Sequence, residues 1–430
     1  MSTQGKRVVL STFGSFGDIH PYVALALELR RRGHHPVLAT SAVYREKADA
    51  LGIELRPVRP DLPSPDDLEA TRQLVSDLVD QRKGTERVFG LLMPHLREIY
   101  EDLLAAVEGA DLLLTHPLPF VGPVVAQKTG IPWVSSVLAP ISLFSAYDPP
   151  LLPQAPWLDP FMRLHPAVVR LFLLLGEPKF RSIFAPVHRL RRELGLPRGG
   201  TPILEGQHSP TLVLALFSKV LAAPQPDWPP NTVVTGFAFY DRRDRAGDAE
   251  GTDPALLEFL EAGEPPIIFT LGSSAFFAAG DFYRDSVAAA RSLGRRALLL
   301  IGEERNRPAS LPAGAAAFEY APFSEVLPRA AAVVHQGGVG TTGQALRAGV
   351  PQLVVPFGHD QFDNGARVAR GGCGRVLPRR RYDARRAERE LRALLGDESY
   401  ARRAARAGRV VRDEDGAVAA VDAIERVLKA

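Results

Sequence analysis

The chain is short of everything that would staple or anchor it. One cysteine, Cys373, occurs in 430 residues. That excludes a disulfide framework and any cysteine-built metal cluster, and it fits a reducing, cytoplasmic setting. No run of ~18 apolar residues occurs, so no membrane span is predicted. The nearest stretch, Ala167–Leu175, is short and broken by Arg170; it reads as a buried helix or a greasy pocket wall, with peripheral membrane contact as the minority reading. The opening Met-Ser-Thr-Gln-Gly-Lys-Arg has no apolar segment before a cleavage site, and no secretory signal is predicted. Charge of one sign is scarce as well: 52 basic against 49 acidic residues leave +3. The arginine clusters Arg30–Arg32 and Arg379–Arg381 stand beside acidic residues or at helix ends, as solvated surface does. Without a concentrated basic face, a nucleic-acid partner is not expected.

What is present is an ordinary globular composition, 46% hydrophobic and 23% charged, at a length that predicts two or three domains. Short apolar runs alternate with amphipathic helices from end to end. In the first half Val8–Ser11, Pro36–Thr40, Asp111–Thr115 and Trp133–Val137 read as strands, with helices over Pro21–Arg32 and Gly122–Thr129. The rhythm restarts with Ile267–Leu271, Ala297–Ile301, Ala315–Tyr320, Ala332–His335 and Gln352–Pro356. This pattern predicts an α/β protein of two doubly wound parallel sheets. The Pro- and charge-rich stretch between the halves gives the division: residues 1–222, a linker at 223–252, and 253–430. Ligands in such sheets bind beyond the carboxyl ends of the strands, here between the two domains. Leu62–Gly90 and Pro140–Pro166 are insertions suited to shaping a pocket. Nothing in the sequence signals an oligomeric state.

The most specific segment is His335-Gln-Gly-Gly-Val-Gly-Thr-Thr-Gly343. It follows a strand and precedes a helix expected at Gln344–Ala348. Glycines let the backbone approach a ligand, and the N–H groups of a helix start favour a phosphate. His335 is expected to bond the same anion, with Gly338, Val339, Gly340, Thr341 and Thr342 forming the cradle. Gly338–Gly343 also matches the dinucleotide fingerprint G-x-G-x-x-G, so an NAD-dependent oxidoreductase stands as an alternative. Asp360 and Gln361, in a loop past a strand end, suit either neighbouring sugar hydroxyls or a plain helix N-cap. Ser273 and Ser274 end another strand, where small hydroxyl residues either contact a diphosphate or form a plain turn. In the first half Gly14-Ser-Phe-Gly17-Asp18-Ile-His20-Pro21 follows the first strand. Asp18 or His20 is either a helix cap or, in Asp18's case, a general base with His116 as partner.

Together these residues resemble the nucleotide-sugar-dependent glycosyltransferases of the GT-B fold, in the group containing macrolide, glycopeptide, sterol and plant natural-product enzymes. Gly14-x-x-Gly17-Asp18-x-x-Pro21 is similar to the amino-terminal signature of its bacterial and sterol branch. Tyr320-Ala-Pro-Phe323, His335 through Thr342 and Asp360-Gln361 are similar to its donor signature. His359-Asp-Gln-Phe-Asp-Asn364 and Pro226-Asp-Trp-Pro-Pro230, leading to Thr235-Gly-Phe237, resemble the rhamnosyltransferase of rhamnolipid synthesis.

The resemblance implies two facing Rossmann-like domains and an inverting transfer with no metal and no resident cofactor. The co-substrate would be a dTDP- or UDP-sugar and the acceptor a hydroxyl of an apolar small molecule. It places Phe323 at the nucleobase, His335 and the glycine turn at the diphosphate with Ser273 or Ser274 assisting, and Asp360 and Gln361 at the sugar. Asp18 would be the base, although the plant branch has His at that place and commonly Asp near the place of His116. Gly343 stands where that branch has a ribose-binding Glu, which favours a dTDP-sugar. Phe120, Phe144, Tyr147, Trp157, Phe161 and Leu171–Leu175 are the candidate acceptor walls. A GT-B epimerase and a non-catalytic nucleotide-sugar-binding protein complete the alternatives.

Overall fold

The computed structural model describes residues 5–63, 67–79, 83–242 and 253–429. The first domain holds seven parallel strands: β1 (Arg7–Ser11), β2 (His35–Thr40), β3 (Glu54–Pro57), β4 (Leu112–Thr115), β5 (Trp133–Val137), β6 (Val213–Ala215) and β7 (Thr232–Val234). Their spatial order is β3-β2-β1-β4-β5-β6-β7. The second domain holds six: β8 (Ile267–Thr270), β9 (Ala297–Leu300), β10 (Ala315–Phe318), β11 (Ala332–His335), β12 (Gln352–Val354) and β13 (Gly374–Val376), in the order β10-β9-β8-β11-β12-β13. Strands such as Val8-Val9-Leu10 and Ile267-Ile268-Phe269 are apolar throughout and fully buried, because helices cover both faces of each sheet. The expected doubly wound α/β architecture is therefore present.

Each sheet reverses its strand order once, between β1 and β4 in the first and between β8 and β11 in the second. At such switch points the crossovers diverge and leave a crevice at the carboxyl ends. Asp18 follows β1, His116 follows β4, Ser273 follows β8 and Gly337 follows β11, so all four lie at the two crevices. The Gly-rich turn follows β11, not the opening strand of its sheet. That is the wrong place for a dinucleotide fingerprint.

Three placements differ from the sequence expectation. Thr232–Val234 falls within 223–252, so the first sheet extends into the stretch set aside as linker. The prolines before it and the charge run after it hid a strand only three residues long; residues 243–252 of that stretch lie outside the described residues. The last helix, Gly416–Lys429, packs Ala420, Val421 and Ile424 into the core of the first domain, not the second. Arg32 anchors it through Asp422 at 2.6 Å and Glu425 at 3.6 Å, so this arginine is an internal clamp and not solvated surface. Finally, the helix after β1 begins at Phe16, well before Pro21. Ser15 caps it and Asp18 reaches back to the Ser15 backbone, a reciprocal capping box that starts the helix a turn and more early.

Candidate active site

Asp18 owes its position to that box. Its Oδ2 accepts the Ser15 amide at 2.8 Å and the Ser15 hydroxyl at 3.3 Å. Gly14 is required beside it: φ is +138° there, and a Cβ would stand 2.2 Å from Asp18 Oδ2. The carboxyl is enclosed although the residue keeps some surface. Desolvation raises its pKa to about 6 against the pull of the Ser15 bonds. Ser15, not Asp18 or His20, is therefore the cap, and Asp18 is its capping-box partner and a carboxyl with a raised pKa.

Asp360 faces it from the other domain. Burial raises its pKa to about 7; its bond from Asn364 opposes this, and the charge of Asp18 adds to it. Two carboxylates from different domains therefore lie within electrostatic reach of one another. The turn carrying Asp18 also approaches the loop after β8, since a Cβ on Gly17 would lie 4.0 Å from the Ser273 hydroxyl.

Beside Asp360 lies the glycine turn. The helix after it runs Val339–Ala348 with Gly338 as its cap, so Val339, Gly340, Thr341 and Thr342 form its first turn, not a loop before it. Gly337, at φ +89°, has no room for a side chain, with Val354 and the Gln361 backbone in the way. Gly340 is exposed and open, and a Cβ there would meet nothing within 4 Å. Unpaired N–H groups at this helix start face the crevice at the end of β11, an anion site by geometry.

His335 does not take the expected part. It is wholly buried; its Nε2 pairs with Gln352 Oε1 at 2.9 Å and its Nδ1 accepts the Gly337 amide at 3.1 Å. Burial pushes its pKa down to about 4, which keeps the ring neutral. Both nitrogens serve the turn and neither is left for an anion.

Two residues that the sequence did not single out stand beside the glycine turn. Gln336 is 5% exposed; its Nε2 reaches Thr341 at a long 3.5 Å, and among the described residues its buried Oε1 has no partner. Adjacent strand residues point to opposite faces. With His335 turned into the sheet, Gln336 turns toward the crevice, against Gly272. Asn364, also buried, donates to Gly337 O at 2.9 Å and to Asp360 Oδ2 at 2.7 Å, tying the glycine turn to the carboxylate. Its spacing of four from Asp360 on one helix face was the available signal.

Two family models match the chain. Residues 8–140 match the glycosyltransferase family 28 N-terminal domain, and residues 297–419 match the erythromycin biosynthesis protein CIII-like C-terminal domain. O-mycaminosyltylonolide 6-deoxyallosyltransferase of Streptomyces fradiae is 33% identical over 425 residues, covering 95% of this chain and 94% of its own. The chain belongs to the nucleotide-sugar-dependent glycosyltransferases. A sterol 3-beta-glucosyltransferase of Cryptococcus neoformans is 28% identical across 98% of this chain, which spans 27% of that longer protein. Among solved structures, the calicheamicin glycosyltransferase superposes with a TM-score of 0.73 at 19% identity over 99% of both chains. The spinosyn rhamnosyltransferase gives 0.66 at 19% identity, over 98% of this chain and 100% of its own. These place the glycosyltransferase in the GT-B fold.

The remaining expected residues of this glycosyltransferase fall into three groups. His116 ends β4 with Nδ1 accepting the Leu118 amide at 3.3 Å and its ring against Tyr22; burial lowers its pKa to about 4. Among the described residues no hydrogen bond joins it to Asp18. His20 lies two positions beyond Asp18, about 200° around the helix, packed between the rings of Phe16 and Tyr240. Gln361 uses its Oε1 on the amides of Phe357 at 2.8 Å and Gly358 at 3.1 Å, which leaves its Nε2 for a ligand. Phe323 opens a short helix and is partly packed in the core. Ser274 precedes a 3-10 turn, while Ser273 is exposed.

Of the acceptor candidates, Phe120 is core, in edge-to-face contact with Phe89 and Phe184. Phe144 lines a small cluster with Ala146, Met162 and Val169. Tyr147 is exposed beneath Arg170, and Trp157, Phe161, Leu171, Leu174 and Leu175 also face solvent. No helix among the described residues is long and apolar enough to cross a membrane.

Proposed function

We propose that the chain is an inverting, metal-independent O-glycosyltransferase that moves a sugar from a dTDP- or UDP-sugar to a hydroxyl of an apolar small molecule. The observation that carries this is the meeting of Asp18, from the first domain, with Asp360 and the glycine turn of the second. With its pKa raised to about 6, Asp18 is a base matched to neutral pH. His116 holds its proton on Nε2 while Nδ1 accepts from Leu118, so it is the poorer base.

In this reading Asp18 takes the acceptor proton as the hydroxyl oxygen bonds to the anomeric carbon. The bond from that carbon to the diphosphate oxygen breaks on the opposite face, and the configuration inverts. The N–H groups from Gly338 to Thr341 and the amide of Gln336 receive the departing charge, with Ser273 across the crevice. Asp360 and the Nε2 of Gln361 hold sugar hydroxyls. At Gly343 a Cβ would stand 2.9 Å from the Phe237 ring, so the position admits no carboxylate for a ribose, in keeping with a deoxyribose donor. The nucleotide sugar is a co-substrate, and no resident cofactor enters. A cytoplasmic setting suits the buried free thiol of Cys373.

The test is the melting temperature with dTDP, UDP and NAD at equal concentration, since a ligand of the folded state raises it by mass action. A rise with dTDP or UDP alone is expected. A rise with NAD alone would remove the donor assignment.

A further inference from the structure

Asp360 opens the helix Gln361–Arg370, and the residues around it reach out of their own domain. His359, at φ +53°, bonds its ring to the Leu78 carbonyl in the first insertion. One turn on, Asp363 is wholly buried and its Oδ1 accepts the Leu151 amide at 3.1 Å. A turn further, Arg367 is 4% exposed in its side chain; its Nε bonds Asp363 Oδ2 at 2.7 Å and its Nη1 pairs with Asp148. Arg370 also reaches Asp148, at 3.3 Å.

The loop 147–151 of the acceptor domain is thereby pinned by charge to the helix whose first turn presents Asp360. Burying such a cluster costs several kcal/mol per ion in desolvation, so it is a poor way to gain stability and a good way to fix a register. The same loop carries Tyr147 and follows Phe144, both candidate acceptor walls.

We propose that Asp148, Asp363 and Arg367 are positioning residues that couple the acceptor loop 147–151 to Asp360, so that acceptor and nucleotide sugar bind cooperatively. This rests on the donor reading above.

The experiment is amide hydrogen exchange on the full chain, free and with dTDP-glucose or UDP-glucose. In the native protein the nucleotide sugar should slow exchange at 336–342 and also at 147–151. In Asp148→Asn the first protection should persist and the second fall about fivefold, the lower end of ordinary couplings. Arg367→Lys keeps the charge but not the fork geometry, and should do the same. Arg370→Gln removes only the outer contact and serves if the others fail to fold. Protection at 147–151 that is absent in the native protein, or unchanged in the variants, would overturn the coupling. Absence of protection at 336–342 would instead strike the donor reading; the tie itself would then be judged in the free protein, where Asp148→Asn should speed exchange at 359–364 as well as at 147–151.

Discussion

The two faces of the crevice are built on opposite plans. On the donor side the polar side chains are buried and bonded to one another: His335 to Gln352 and Gly337, Asn364 to Gly337 and Asp360, Gln361 to the backbone of its own loop. On the acceptor side, from Tyr147 to Leu175, large apolar side chains stand in water; among the described residues this stretch holds most of the exposed ones. Fixed dipoles suit a ligand of constant charge, such as a diphosphate. An adaptable apolar surface suits a ligand class that varies in shape. In the proposed reading one side selects by geometry and the other by burial, with Asp18 at the seam.

The seam gives the largest expected effect. Asp18→Asn keeps an acceptor oxygen for the Ser15 amide but removes the base, and transfer should fall on the order of 10² to 10⁴-fold while dTDP or UDP binding persists. Transfer that survives undiminished would reassign the base. In the native enzyme the rate should rise with pH through about 6, as Asp18 loses its proton. Stability should run the other way. A carboxyl whose folded pKa is raised binds its proton more tightly than in the unfolded chain. It stabilises the fold fully below the unfolded value, and this is lost as pH rises through about 6 for Asp18 and about 7 for Asp360.

Next in size is the contrast between neighbours on β11. Gln336→Leu should weaken dTDP or UDP about tenfold or more, as for a lost hydrogen bond to a charged group, with little change in melting temperature. His335→Ala should do the reverse, lowering stability by about 2–4 kcal/mol through a cavity and two lost bonds. Calorimetric titration and thermal melts on both variants would settle it; a selective loss of nucleotide affinity in His335→Ala would restore the histidine to the ligand.

The smallest effect is the sharpest. Gly340→Ala meets nothing in the empty protein, so helix propensity should stabilise it by about 0.5–1 kcal/mol. The added methyl would crowd a diphosphate lying on the helix start. A higher melting temperature with weaker nucleotide binding is expected; unchanged binding would move the anion away from this turn.

These contrasts also explain what the sequence disclosed. The sheets were legible because buried parallel strands are apolar throughout, as in Val8–Leu10 and Ile267–Phe269. The glycine turn was legible because a close backbone approach needs glycine, and Gly337 has no space for anything else. Which side chain of His335 and Gln336 faces the crevice was not legible, since that turns on strand orientation at one residue. Strands of three residues, such as Thr232–Val234 and Gly374–Val376, are too short for a period to show. Phe120 and Leu174 read alike as apolar, yet one is core and the other is solvent-exposed. Position relative to neighbouring elements decides that, and composition carries no trace of it.

The return of the last helix to the first domain has a temporal consequence. Ala420, Val421 and Ile424 close the core that Val8, Leu10 and Leu25 began. Chains emerge from the ribosome N-terminal end first and domains fold as they appear. Here the first domain waits for residues that follow the whole second sheet in the chain, so its core is completed only after that sheet has been made.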